Sequence, residues 1–317
     1  MENLIAGPCS VESKEQFNST LRELLKIGVT NIRAGAWKPR TNHGEFEGLG
    51  VDALKIIKEA KDEGYKFTSF VEVANDLQVM YAQKYEIDVF WVGARTTGNP
   101  FSVQEIADAI RDKEKTILVK NPMQNDIKLW IGAINRFRAE GFKNVYPIFR
   151  GFSQEGVYRN QPEWEVLEEL KSKLGFENSE IIIDASHIAG DRKYIKEIVN
   201  KAKSLGYQSF MLESHINPLE ALTDAAQQVE PKELVSFLHS KETLDYERNI
   251  INGIDNEIIN LLNKRFEASD QIGRKKKKEN TLVFDPLRYA DVRLKYGKFA
   301  NIYEAIHNES TKKQKKL

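Results

Sequence analysis

The chain is poor in several features that would each have pointed to a class. It holds a single cysteine, Cys9, which excludes an internal disulfide and fits a reducing, cytoplasmic setting. No window approaches the roughly 18 apolar residues of a membrane-crossing helix, so no membrane partner is expected. The opening MENLIAGPCS has no basic segment, no long apolar stretch and no small-residue cleavage site, and predicts no secretory signal. Net charge is absent too: 47 lysines and arginines balance 47 aspartates and glutamates. What is present is ordinary for a globular chain, 41% hydrophobic and 30% charged in 317 residues, a length that allows one large domain or two unequal ones.

The zero balance conceals an asymmetry. From Lys241 onward there are 17 basic against 12 acidic residues, leaving 30 against 35 before it. Two basic runs stand out, RKKKK at 274–278 and KKQKK near the end. They read as solvated helix faces or an anion site. No aromatic residues interleave them as stacking platforms would, and no nucleic-acid partner is expected.

Residues 1–240 repeat a β-then-α pattern. Short apolar runs read as strands at 3–9, 31–37, 67–73, 88–94, 116–122, 144–150, 180–186 and 209–214. Amphipathic stretches such as SKEQFNSTLRELLKIG and VDALKIIKEAKDEG separate them and end in the glycine expected past a helix C-terminus. Eight such units are the arithmetic of an α/β fold of the (β/α)8 TIM-barrel type. A doubly wound open sheet is the alternative, disfavoured because no Gly-rich dinucleotide loop follows the first strand. From Thr243 the pattern changes. Tyr246, Ile250, Ile254, Ile258, Leu261 and Leu262 recur at three- and four-residue spacings along one long helix. Asp285-Pro286 fits an N-cap followed by proline at the first helical position, and Gly297 divides two shorter helical segments. The expectation is a barrel over 1–240 followed by a small all-α three-helix domain over 241–317.

Barrel active sites form at the C-terminal ends of the strands. Four candidate metal ligands fall there: Cys9 after the first strand, His187 after the seventh, Glu213 in the eighth and Asp224 beyond it. Taken singly, a cysteine is usually a small buried hydrophobe and a histidine usually packs or caps. Together, a thiolate, an imidazole and two carboxylates suit a divalent transition metal of the Mn²⁺, Co²⁺, Zn²⁺ or Fe²⁺ class. Six cations share these ends: Arg33, Lys38, Arg40, Arg95, Lys120 and Arg150. Scattered surface charge explains them poorly, because they directly follow buried apolar runs; phosphates and carboxylates are their natural partners.

The motifs GPCSVES (7–13), RAGAWKPRT (33–41), GARTTGNP (93–100), RG (150–151), DASHIAGDR (184–192) and MLESHINPLEALTDAAQQ (211–228) closely resemble the type I, beta-branch 3-deoxy-D-arabino-heptulosonate-7-phosphate (DAHP) synthases. The branch resembles the 3-deoxy-octulosonate-8-phosphate synthases in core design, and KPRT at 38–41 favours the heptulosonate enzyme. The resemblance implies that Cys9, His187, Glu213 and Asp224 ligate the metal. Arg33 and Lys120 would hold the phosphoenolpyruvate carboxylate, and Arg95 and Arg150 its phosphate. Lys38 would reach between the substrates, Arg40 and Thr41 would hold the phosphate of erythrose 4-phosphate, and Glu72 would position a water. Asn42-His43 departs from the Ser-Pro more usual after KPRT.

In the tail, Arg248, Asp255 and Ile259 fall at helical spacing, so Arg248 lies beside the apolar seam. Snorkelling or a salt bridge to Glu247 or Asp255 would explain it alone. The set Arg248, Asp255, Arg265 and Lys276, continued by DPLR (285–288) and Ser310-x3-Gln314, resembles the all-helical chorismate mutases. That resemblance implies that Arg248 and Arg265 grip two carboxylates, that Lys276 and Gln314 donate to the ether oxygen of chorismate, and that Asp285, Arg288 and Ser310 complete a polar wall. It also implies a homodimer through the helical domain, with the first-helix arginine entering the partner's site. Tyr289 stands where the family usually has a glutamate that binds the substrate hydroxyl, and the stretch from Arg288 to Ser310 is about three helical turns short. The whole reads as a bifunctional enzyme of aromatic amino-acid biosynthesis, with the mutase domain mediating feedback by prephenate or chorismate. The alternative is a synthase whose weak helical domain serves only regulation and dimerisation.

Overall fold

The computed structural model describes residues 4–40, 44–238, 244–282 and 285–316, and the chain divides into two compact units, Met1–Lys241 and Glu242–Leu317. In the first, eight parallel strands close into a barrel: β1 (Leu4–Gly7), β2 (Asn31–Arg33), β3 (Thr68–Val73), β4 (Val89–Val92), β5 (Ile117–Lys120), β6 (Val145–Phe149), β7 (Ile182–Asp184) and β8 (Ser209–Glu213). Strand β1 pairs with both β2 and β8, so the sheet has no edge. This is the (β/α)8 fold that the sequence pattern implies.

The paired segments are shorter than the apolar runs in the sequence, and the reason is local. The run 31–37 leaves the ladder after Arg33, where Gly35 packs so tightly that a Cβ would lie 2.0 Å from the Cys9 carbonyl oxygen. Between strands, side-chain caps start the helices. Ser13, Asn75 and Asp126 accept from backbone N–H groups of the helices Lys14–Lys26, Asp76–Lys84 and Ile127–Ala139. The first of these buries Phe17, Leu21 and Leu24, one apolar stripe at helical period.

Strand side chains alternate between two faces, and each face has its own core. Outward residues such as Ala6, Ile32, Val71, Val92 and Val119 pack among the helices. Inward residues form a separate plug of Ile5, Phe70, Val89, Trp91, Leu118, Ile148, Ile182 and Met211. The register sets these into layers, with Phe70 opposite Val89 and Ile148 opposite Ile182. Two residues beyond this plug, toward the C-terminal ends, the inward positions are polar: Glu72, Lys120, Arg150, Asp184 and Glu213. The strand period thus aims the chemistry at one mouth.

The second unit contains helices Leu244–Lys278, Pro286–Lys295 and Ala300–Lys316, with a 3-10 turn at Gly297–Phe299. Pro286 opens the middle helix, and Tyr289 N–H donates back to the Asp285 carbonyl at 3.0 Å. Gly297 takes φ +48°, a left-handed conformation that suits glycine. The first and last helices run in the same direction, since Arg265 meets Ser310 and Ser269 meets Gln314. Among the described residues no helix is long and apolar enough to cross a membrane.

Candidate active sites in the barrel and the helical unit

At the barrel mouth Cys9, Glu213 and Asp224 offer ligand atoms all within 4.8 Å of one another. Cys9 Sγ donates to Asp224 Oδ2 at 3.3 Å. Burial, reinforced by the Glu213 carboxylate, pushes the thiol up to about 12, so it carries a proton that a bound cation would displace. His187 is not part of this tight triad. Its Nδ1 engages Asp184 at 2.9 Å, and its Nε2 stands 3.8 Å from Glu213 Oε1. Burial outweighs Asp184 and lowers the His187 pKa. A neutral imidazole anchored on one nitrogen by a carboxylate, with the other nitrogen toward sulfur and oxygen donors, is the arrangement of a metal-ligating histidine. The donor set therefore fits a divalent transition metal.

The carboxylates are held by cations. Arg33, 1% exposed, places Nη2 2.9 Å from Glu213 Oε1, and Glu213 Oε2 accepts from Gln227 at 2.7 Å. Arg33 Nε and Nη1 are buried with no hydrogen-bond partner. Lys120 Nζ pairs with Asp184 at 2.7 Å. Burial opposes ionisation of Asp184, but His187 and Lys120 outweigh it and hold the carboxyl well below its usual range. Arg159 donates to Asp224 at 3.0 Å and to Gln227 at 2.7 Å. Burial works against the Asp224 carboxylate, yet Arg159 lowers its pKa overall. Arg150 is pulled down to about 10 by burial, with Asp184 opposing and Arg159 and Arg95 adding positive field. A buried, under-compensated guanidinium is a receptor for an anion. Lys38, Arg40, Arg95, Lys120 and Arg150 all line one cavity of about 240 Å³ together with His187 and Asp224.

Glu72 lies within β3, and its Oε2 accepts from Trp91 Nε1 at 2.8 Å. Its other oxygen packs so close to Gly93 that a Cβ there would approach to 2.2 Å. The carboxylate is fixed from two sides while still facing the cavity.

In the helical unit a cavity of about 320 Å³ is lined by Arg265, Lys276, Asp285, Ser310 and Gln314, with Ser269, Tyr289, Tyr296 and His307 completing the wall. Arg265 Nη1 donates to Ser310 Oγ at 2.6 Å, and that hydroxyl donates to the Ile306 carbonyl at 2.8 Å. Gln314 Nε2 donates to Ser269 O and Oγ at 2.6 and 2.8 Å. The Gln314 amide nitrogen is thereby engaged by Ser269.

Residues 2–248 match the profile of the DAHP synthetase I family. The chain belongs to this family. Residues 247–315 match chorismate mutase type II, so a DAHP synthase domain is followed by a chorismate mutase domain. The chain is 28% identical over 228 residues to phospho-2-dehydro-3-deoxyheptonate aldolase of Thermotoga maritima, covering 72% of this chain and 65% of that protein, just under two thirds of its length. It is 25% identical over 258 residues to 2-dehydro-3-deoxyphosphooctonate aldolase of Campylobacter jejuni subsp. doylei, covering 70% and 89%. A crystal structure described as phospho-2-dehydro-3-deoxyheptonate aldolase (DAHP synthase) from Thermotoga maritima superposes with TM-score 0.67 at 26% identity, covering 74% of this chain and 67% of that one.

Of the residues singled out in the synthase domain, the structure gathers all but Thr41, which lies outside the described residues with Asn42 and His43. Three metal-ligand candidates form a tight group and His187 stands beside it. In the mutase domain Arg265, Lys276, Asp285, Ser310 and Gln314 share a cavity; the side chains of Arg248 and Arg288 lie outside the described set. Sequence reasoning passed over Asp184, Arg159 and Gln227, and in the helical unit Ser269, Tyr296 and His307. Asp184 was detectable, being two residues beyond inward-facing Ile182. Arg159 sits in an irregular loop, where no periodicity marks a side chain's direction.

Proposed function

We propose that this chain is a bifunctional enzyme of aromatic biosynthesis. The barrel condenses phosphoenolpyruvate with erythrose 4-phosphate to DAHP and phosphate, and the helical unit rearranges chorismate to prephenate. The observation that carries the barrel reading is Arg33, buried with two nitrogens lacking partners beside a cluster of thiol and carboxylate donors. Buried polar groups are rarely left unmatched, and a substrate carboxylate reaching Arg33 and Lys120 would complete them.

A divalent metal at Cys9, His187, Glu213 and Asp224 would supply Lewis acidity at the aldehyde oxygen. The protein's own residues orient the partners. Arg95 and Arg150 receive the phosphoenolpyruvate phosphate, while Arg40 and Thr41 receive that of erythrose 4-phosphate. Burial opposes the charge on Lys38, but Cys9 and Glu213 outweigh it and raise its pKa, so Lys38 presents a proton between the substrates. The methylene carbon of phosphoenolpyruvate bonds to the aldehyde carbon, whose oxygen takes up a proton. Water oxygen adds at the carbon bearing phosphate, with Glu72 placed to orient it, and the bond from that carbon to the phosphate oxygen breaks. Relatives named for the octulosonate reaction make arabinose 5-phosphate the competing acceptor. Turnover of both aldehydes decides between them, and preference for erythrose 4-phosphate is expected.

The rearrangement is internal to chorismate and needs no base; the site holds the compact conformer and stabilises charge on the breaking ether bond. Arg248 and Arg265 take the carboxylates, Lys276 and Gln314 the ether oxygen, and Asp285, Arg288 and Ser310 the polar wall. The convergence of five of these on one cavity supports the reading. Ile258, Ile259 and Leu261 are 47%, 53% and 65% exposed on the long helix, which favours a homodimer through this unit. We also place the enzyme in the cytoplasm and make prephenate or chorismate its feedback ligand, sensed by the helical unit. A second reading, regulation and dimerisation without catalysis, is favoured by the engagement of Gln314 with Ser269. Direct assay of chorismate consumption separates the two. Exhaustive chelation tests the metal: synthase activity should vanish and return with Mn²⁺, Co²⁺ or Zn²⁺, and full activity in chelated protein would overturn the assignment.

A further inference from the structure

The two carboxylates proposed as metal ligands are tethered in the same way. Asp224 gives Oδ1 to Arg159 at 3.0 Å and turns Oδ2 to the Cys9 thiol. Glu213 gives Oε2 to the Gln227 amide at 2.7 Å. Its Oε1 lies 2.9 Å from Arg33 Nη2 and 3.8 Å from His187 Nε2, and it is buried without accepting a hydrogen bond among the described residues. The two tethers are joined, because Arg159 Nη1 also donates to Gln227 Oε1 at 2.7 Å. One run of contacts, Glu213–Gln227–Arg159–Asp224, thus fixes one oxygen of each carboxylate. The other oxygens are left turned toward the thiol and the imidazole.

Arg159 is itself held. Phe152 and Gln161 pair as an antiparallel bridge, so the residues between them form a hairpin, and Arg159 N–H donates to the Ala189 carbonyl at 3.3 Å. At Gly190, where φ is +71°, a Cβ would come within 2.2 Å of Arg159 Cβ; the absent side chain admits the arginine. Asn160, the next residue, donates to the His187 carbonyl at 2.6 Å, so the same hairpin also reaches the backbone of a third ligand. Asp224 is one of three described non-glycine residues with positive φ, at +45°, a conformation that persists only where the surroundings over-determine it. Gln227 N–H donates to the Asp224 carbonyl at 3.1 Å and adds to that constraint.

The chemistry of the pair narrows its role. Gln227 is neutral, 1% exposed and absent from the cavity lining, so it does not touch a substrate. Arg159 does line the cavity, but its Nη1 is spent on two acceptors within the protein.

We propose that Arg159 and Gln227 are positioning residues, a brace that sets the spacing of Glu213 and Asp224 and thereby the affinity and geometry of the metal site. This rests on the metal reading above, and the test separates the two. Co²⁺ alone is titrated into the chelator-stripped, full-length protein, and the thiolate-to-cobalt charge-transfer absorption and the d–d bands are followed. The native chain is compared with Gln227→Leu, which removes the donor to Glu213 without changing charge. Arg159→Lys keeps the charge but replaces the planar guanidinium with a point donor. Each variant should weaken Co²⁺ binding by about tenfold to a hundredfold and alter the d–d bands. At saturating metal, kcat of the synthase should fall while KM for phosphoenolpyruvate stays unchanged. Circular dichroism confirms folding; if Gln227→Leu does not fold, Arg159→Lys, at a side chain 47% exposed, carries the test. Native Co²⁺ affinity and spectra in the folded variants overturn the inference and leave the metal reading standing. So does a raised KM for phosphoenolpyruvate with Co²⁺ affinity intact, which would make Arg159 a substrate-binding cation. Absence of a thiolate-to-cobalt band in the native chain overturns both.

Discussion

The two sites solve opposite problems. At the barrel mouth, charges hold one another in place: Arg33 on Glu213, Lys120 on Asp184, Arg159 on Asp224. Most are buried, so each depends on its partner to offset lost hydration. In the helical cavity Arg265 and Gln314 engage neutral atoms, Arg265 a serine hydroxyl and Gln314 a backbone carbonyl and a hydroxyl. The buried barrel charges therefore help to keep their surroundings folded, whereas the Arg265 contact to Ser310 leaves no buried charge stranded when it is removed.

The largest expected contrast lies between Arg33→Ala and Arg265→Ala. Removing Arg33 strands Glu213 as an uncompensated buried charge, so denaturant titration should show a loss of about 3–5 kcal/mol together with loss of synthase activity. Removing Arg265 should lower chorismate turnover by about 10²–10³ with a stability change of only about 1 kcal/mol. Equal stability losses would break the comparison. Next comes metal affinity, measured by equilibrium dialysis across pH. The Cys9 thiol, pushed up to about 12, stays protonated in the metal-free protein over the accessible range and must release that proton on binding. The apparent Kd should fall about tenfold per pH unit as pH rises; a flat profile would mean that Cys9 does not ligate as thiolate. Gly93→Ala, whose Cβ would meet Glu72, should cost about 1–3 kcal/mol by overpacking, with no effect on chorismate turnover. The smallest effect concerns regulation. Prephenate should inhibit the synthase, rising ionic strength should weaken the inhibition by screening, and Arg265→Ala should relieve it without lowering uninhibited synthase activity.

How far the sequence was legible follows the same division. Strand side chains alternate strictly, so apolar Leu118 and Met211 announce that Lys120 and Glu213 point into the barrel with them. The run lengths misled at the strand ends: after β2 Gly35 packs against the Cys9 carbonyl, and after β7 the helix Ala185–Ala189 begins at once. Arg159 acts from a loop whose direction no local pattern encodes. In the helical unit, the resemblance to the all-helical chorismate mutases singled out Arg265, Lys276 and Gln314, but the engagement of Gln314 by Ser269, 45 residues away in sequence, depends on how the first and last helices align. The ring pair of Tyr289 and His307 depends on how the middle and last helices align.

One measurement reaches the central claim, that two separate chemistries occupy one chain. His187→Ala and Arg265→Ala are prepared in the full-length protein, and DAHP formation and chorismate disappearance are measured on the same samples. His187→Ala should silence DAHP formation and leave chorismate turnover intact, because the rearrangement needs no metal; Arg265→Ala should do the reverse. Loss of both activities from either change, in protein whose circular dichroism is native, would contradict the account.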